Sequence, residues 1–164
     1  MSAILDDTRT YRYRLTRPPR SAWALAPVLW VMLNPSVADE VRNDPTIRKC
    51  QGFQARWGHG GSCEVVNLFA LRATDPRELS KHPDPVGAEN DEHLRRAADE
   101  VVSAKGRIVV AWGAHRFARR RAEEVRRIYW PFRLDCLGTT KDGSPRHPLY
   151  VPYSQPLVPW EGYA

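Results

Sequence analysis

Pro27-Val28-Leu29-Trp30-Val31-Met32-Leu33 is an unbroken apolar run that stops abruptly at Asn34-Pro35-Ser36. A strand with one wet face would alternate. A run apolar at every position is buried on both faces, as in a parallel sheet covered by helices. The same pattern recurs as Cys63–Phe69 (CEVVNLF), Arg107–Trp112 (RIVVAW) and Phe132–Leu137 (FRLDCL). Thr10–Leu15 (TYRYRL) alternates instead and reads as an N-terminal edge strand.

Helical signals fill the gaps. Asp44 is a good cap and Pro45 suits the first helical position, so a helix runs from there to about Trp57 and ends at Gly58. Thr74-Asp75-Pro76 repeats the signal for a short helix. Gly87–Ala104 and Ala114–Tyr129 read as two longer helices, and Gly138–Ala164 as mostly loop. Strand and helix alternate, which predicts an α/β three-layer sandwich. Its centre is a mostly parallel four-stranded sheet, with the N-terminal strand at its edge.

The chain has 164 residues, 42% of them apolar and 27% charged, which suits one globular domain spanning 1–164 with loose ends at 1–9 and 160–164. No apolar run approaches the roughly 18 residues of a membrane span. The N-terminus has acids where a secretory leader has a basic start, so the expectation is a cytoplasmic monomer with no membrane partner. The formal charge is +6, and of 25 cations only Lys49, Lys81, Lys105 and Lys141 are lysine. Arginine forks onto phosphate, which suggests DNA or a nucleotide as partner. A codon bias that turns lysine into arginine throughout explains the same count. Cys50, Cys63 and Cys136 are too few and too widely spaced for a disulfide framework or a Cys-x-x-Cys metal site.

Ligands of such sheets bind outside the carboxyl ends of the strands. Those ends here are Asn34-Pro35-Ser36, Asn67 with Phe69 and Arg72, Trp112-Gly113 with His115 and Arg116, and a last loop with Lys141, Arg146, His147, Leu149 and Tyr150. Each has a plainer reading. Asn34-Pro35-Ser36 is also a turn, Asn67 a brace for a neighbouring loop, and Asp44 a helix cap. Gly113 is also a packing glycine and His115 a cap or a surface residue. Ser36 lacks the glycines of a nucleophile elbow. The histidines are not at metal-ligand spacing, and phosphate-loop and dinucleotide fingerprints are absent, so no metal and no organic cofactor is expected.

The series VMLNPSVAD, NDPTIR, VVNLFALRATDP, DPVGAEND, AWGAH and CLGTTKDGSPRHPLY resembles an uncharacterised family of small bacterial and phage proteins, a domain of unknown function. Four of these motifs also resemble, more distantly and in the same order, the uracil-DNA glycosylase superfamily. They are Leu33-Asn34-Pro35-Ser36, Val65-Val66-Asn67, Ala111-Trp112-Gly113 and His147-Pro148-Leu149-Tyr150. That likeness implies a DNA glycosylase-like hydrolase. Asn34 would hold water near the sugar carbon, His147 would stabilise the departing base, and Asn67 would read the base edge. Phe69 or Trp57 would stack on the base, and Leu149 or Tyr150 would wedge into the duplex. The chain departs from that pattern in having Asn34 where the most active branches carry Asp; slower, mismatch-directed branches have Asn there, and Asp39 or Asp44 is the alternative source of a carboxylate. It also has His-Pro-Leu-Tyr in the last loop, which points to a modified pyrimidine or a free nucleotide rather than uracil. The alternative is a nucleic-acid-binding or nucleotide-sensing module on the same fold. A phage-related enzyme acting on a modified nucleotide is a third reading.

Overall fold

The computed structural model describes residues 1–19, 26–36 and 44–163. In chain order the strands are β1 (Ser2–Leu5), β2 (Arg12–Arg17), β3 (Val28–Met32), β4 (Cys63–Asn67), β5 (Arg107–Val110), β6 (Leu134–Cys136) and β7 (Val158–Pro159). The helices are α1 (Pro45–Arg56), α2 (Asn90–Ser103) and α3 (Ala118–Ile128). Short 3-10 turns cover Pro76–Ser80 and Pro148–Tyr150.

The sheet order is β1-β2-β4-β3-β5-β6-β7. The four strands read as doubly buried form its parallel centre, in the register Val28↔Cys63, Val28↔Arg107 and Ile108↔Leu134. The expected four strands plus one edge strand are too few: the sheet is mixed and has seven. β2, expected at the edge, is covered by β1, and β7 adds an antiparallel strand to β6. Neither outer strand has a strong sequence signal. β1 is only half-buried, and β7 is a two-residue piece containing a proline. Backbone pairing, not apolar pattern, places them. β1 is brought back to β2 by a turn in which the Asp6 carboxylate accepts from the backbone N–H of Thr8 at 3.2 Å and of Tyr11 at 2.7 Å.

Alternate residues of each central strand enter two separate cores. Leu29, Val31, Val66, Ile108 and Val110 pack with Leu94, Ala97 and Val101 of α2 and with Ala122 and Val125 of α3. Val28, Trp30, Val65 and Val109 pack with Ile47, Cys50 and Phe53 of α1. Fully burying one such side chain stabilises by about 1.5–3 kcal/mol, so two filled cores fix the register against a one-residue slip. The helices therefore lie on opposite faces. The path from β3 through α1 to β4 steps one way along the sheet. The path from β4 through α2 to β5 steps back across β3. One consistent handedness of crossover then requires helices on opposite faces.

The reversal sets a switch point beside β3, where the chain leaves β3 towards one face and β5 towards the other. α3 begins at Ala118, not at Ala114 as expected. Gly113 has φ +78°, and the chain from there to Ala118 is tied by turns, His115 N–H to Gly113 O at 3.1 Å and Ala118 N–H to His115 O at 2.8 Å. The ends expected to be loose carry structure: Ser2–Leu5 is paired, and Trp160 is buried against Trp112.

Candidate functional site

A cavity of about 330 Å³ opens at the switch point. That lies at the small end of the ~300–1,000 Å³ range of ligand sites. β3 runs out into Asn34 and Ser36 at its wall, β4 ends on Asn67, and Trp112, Gly113 and His115 follow β5. Asp44 comes from the start of α1, and His147 and Tyr150 from the last loop. Four polar clusters dispersed in sequence thus meet in one place.

Asn67 is buried, and its side-chain nitrogen has no hydrogen-bond partner among the described residues. Its backbone is clamped from behind. The Asn90 amide, at the start of α2, donates to the carbonyls of Asn67 and Leu68, each at 3.1 Å. Arg121 of α3 donates from Nε to Leu68 O at 2.9 Å, and its guanidinium also meets Asp91 and Glu124. The strand end is held rigidly while its side-chain donor is left unpaired at the cavity wall. A buried donor without an acceptor costs about 1–3 kcal/mol.

Asn34 is committed differently. Its amide nitrogen donates to Pro35 O at 3.0 Å and Ala73 O at 2.7 Å, so its carbonyl oxygen is the end available to a bound group. Pro35 is buried and its carbonyl accepts from Ala73 N–H at 3.0 Å. The Asp44 carboxylate caps α1, accepting from Ile47 N–H at 2.8 Å, while also lining the cavity.

His147 sits in a loop that Gly113 admits. Gly113 is in the left-handed region, and a Cβ there would lie 3.3 Å from the Cβ of His147. Gly113 N–H donates to Pro145 O at 2.9 Å, tying the loop down. Nδ1 of His147 accepts from Leu149 N–H at 3.3 Å, which leaves the proton of a neutral ring on Nε2. Burial lowers the His147 pKa below its ordinary value, and the charge of Asp44 opposes that shift without cancelling it. The imidazole is therefore a neutral N–H donor at pH 7. His115 is lowered too, by burial first and Arg116 second, and its buried Nδ1 has no partner. Trp112 forms a buried wall. Its indole N–H donates to Tyr163 Oη at 2.9 Å, and Trp160 meets it edge-on.

Other residues expected at the site lie elsewhere. Phe69 is buried in the core under α2 and α3, and Trp57 is stacked on Trp30 under α1, so neither faces the cavity. Their apolar surroundings claimed both rings for packing. Arg72 borders an adjoining cleft. Arg116 is exposed and lies over the Phe117 ring, and Lys141 is exposed on the last loop. Arg146 is exposed and donates to Thr139 O at 3.1 Å. Of these four cations only Arg72 lines either of the two spaces. Leu149 and Tyr150 are exposed beside the cavity mouth, Tyr150 over His147. Asp39 lies outside the described residues. Much of the arginine is structural: Arg14 pairs with Glu64 and Glu100, and Arg107 and Arg133 both pair with the buried Asp135.

Sequence reasoning missed Arg12, a buried arginine in the cavity wall, and the clamping pair Asn90 and Arg121. Because β2 runs antiparallel to β4, its first residue, not its last, arrives at the ligand edge.

Among the described residues, no group of three His, Cys, Asp or Glu comes together to hold a metal ion, and no helix is long and apolar enough to cross a membrane. Residues 12–149 match a family model described as Protein of unknown function (DUF1643). No curated protein and no solved structure matches the chain.

Proposed function

The chain belongs to the DUF1643 family, a membership that brings no activity with it, and we propose that it is a DNA glycosylase-like hydrolase. It takes a damaged or modified base into the cavity and hydrolyses its N-glycosidic bond. The observation that carries this reading is the Asn67 amide nitrogen: buried, without a partner among the described residues, and at the wall of a cavity of about 330 Å³. A base edge supplies the acceptor it lacks.

The remaining groups have the chemistry such a cleavage asks for. Water adds its oxygen to the sugar carbon, the electron pair of the C–N bond leaves with the base, and the proton lost by water is returned to the base. The Asn34 carbonyl oxygen holds that water by accepting a hydrogen bond from it, and the Asp44 carboxylate accepts its proton. Nε2–H of His147 donates to the base oxygen on which negative charge grows, and a neutral donor already in place needs no reorganisation. Tyr150 and Leu149 fill the gap the base leaves in its stack. Arg12 adds a cation to the cavity wall.

One observation favours a second reading, a nucleotide-sensing or nucleic-acid-binding module without chemistry. The Asn34 amide and the Asp44 carboxylate both already serve the backbone. Incubation with single- and double-stranded oligonucleotides carrying uracil, hypoxanthine or 5-substituted pyrimidines separates the two. Abasic sites that vanish in both Asn34→Ala and His147→Ala are the expected result. Binding without cleavage on every substrate overturns the hydrolase and leaves the sensor. Failure to bind any nucleic acid at low salt, where phosphate contacts are strongest, overturns both.

A further inference from the structure

Beside the base cavity lies a second cleft of about 410 Å³, lined by Arg9, Thr10, Ser36, Arg72, Ala73 and Thr74. Ser36, Ala73 and Thr74 line both spaces, so the two are continuous. Among the described residues its walls carry two guanidinium groups and three hydroxyls and no carboxylate. That is a donor set for a tetrahedral oxyanion. Arg72 is held in place there. Its backbone N–H donates to Thr10 O at 3.0 Å, and Nη1 donates to Arg9 O at 3.1 Å. Nε of Arg72 is buried with no hydrogen-bond partner among the described residues. A guanidinium anchored through one nitrogen keeps further N–H donors for an acceptor in the cleft it lines.

We propose that this cleft is the phosphate subsite of the same site, binding the phosphate joined to the nucleoside whose base occupies the cavity. The inference rests on the base-recognition reading above. The shared ligand chemistry is a phosphate ester, either the 5′-phosphate of a free nucleotide or a phosphodiester within a strand. Arg72 is the principal contact, with Thr10, Ser36 and Thr74 completing the donor set.

The test is a calorimetric titration of the full chain with inorganic phosphate, the common nucleosides, their 5′-monophosphates and trinucleotides of the same bases. In the native protein the monophosphate or the trinucleotide binds at least about tenfold tighter than the nucleoside, a gap of roughly 1.4 kcal/mol. In Arg72→Gln that ratio falls to within about twofold while nucleoside affinity is kept, and the salt dependence becomes shallower by about one unit. Whichever of the two ligands gains more identifies the source of the phosphate. Arg72→Lys keeps the charge and stem, and its intermediate ratio supports the subsite if the glutamine variant proves less stable. An unchanged ratio in both variants overturns the subsite. Nucleosides that bind with no gain from phosphate also overturn it, leaving the base cavity standing. Phosphate binding that depends on Arg72, without nucleoside binding, overturns the base reading and keeps the anion site.

Discussion

Asn67 and Asn90 are both buried asparagines, and both serve the end of β4, yet their amide nitrogens are used in opposite ways, while the side-chain oxygen of Asn90 has no partner among the described residues. Asn90 spends its nitrogen on two backbone carbonyls, those of Asn67 and Leu68. Asn67 leaves its nitrogen with no acceptor. The first pattern is that of a fold-determining residue: remove it and buried carbonyls lose their donor. The second costs stability unless an acceptor from outside the described residues reaches the nitrogen. Placing both at one strand end separates rigidity from recognition. The clamp behind the strand holds the backbone still, so the side chain in front keeps its aim without a partner of its own.

Substitution sharpens that contrast, and the largest effect falls on function. Asn67→Ala is expected to cut substrate cleavage or nucleoside binding by about 100-fold or more, because a site built around a hydrogen bond discriminates strongly when the bond is lost. Its thermal midpoint should move little, since the substitution removes an unpaired buried donor. Asn90→Ala should do the reverse. Stability falls by about 1–3 kcal/mol as two buried carbonyls lose their donor, a drop of several degrees in the melting midpoint. Binding weakens only in proportion to the looser strand end. If the two variants show the same balance of stability and binding losses, the division of labour between them is wrong.

A smaller effect concerns α1. Asp44→Ala removes the cap on Ile47 N–H and should cost about 1 kcal/mol in a denaturant titration. Asp44→Asn keeps a capping oxygen and should restore most of that stability. A cleavage activity that nonetheless stays lost in Asp44→Asn assigns the carboxylate to the reaction, whereas full recovery restricts it to capping.

The central fold was legible because burial on both faces leaves an unmistakable record. Val28–Met32 has no polar residue to mistake for a surface position, and the caps at Asp44 and Asp75 mark where α1 and the Pro76–Ser80 turn begin. The polar strand ends were legible for the same reason, since Asn34, Asn67 and Gly113 interrupt apolar runs. What stayed hidden depends on partners far away in the chain. β1 and β7 are defined by backbone pairing that any side chain permits. Phe69 and Trp57 are aromatic residues next to a site, and only the packing of α1, α2 and α3 decides that they turn inwards. Arg12 breaks strict alternation, being buried next to a buried Tyr13, so its face could not be read from period two. Asn90 and Arg121 act on carbonyls of another element, and no local pattern encodes that.

The smallest expected effect compares the partly buried histidines with the carboxylates of the surface turns, and it has a definite sign. His147, His115 and His59 are all lowered from 6.5, in each case chiefly by burial. The unfolded chain therefore binds more protons than the folded one as pH falls through 6.5, and stability declines with it. The stability is fully present above that unfolded value and is lost towards the lower folded values. Asp75 behaves as a separate population. Its hydrogen bonds with Arg77 hold it down to about 2, so its contribution disappears only in much stronger acid. Between about pH 7.5 and 5.5 the slope thus belongs to the histidines. His147→Asn keeps a side chain able to cap Leu149 N–H but removes one titrating group. Its denaturation midpoint should fall less steeply with acidification than that of the native protein, with the remaining slope carried by His115 and His59. An unchanged slope would mean that His147 is as readily protonated in the fold as in the open chain. The neutral Nε2–H donor assigned to the departing base would then be lost along with it.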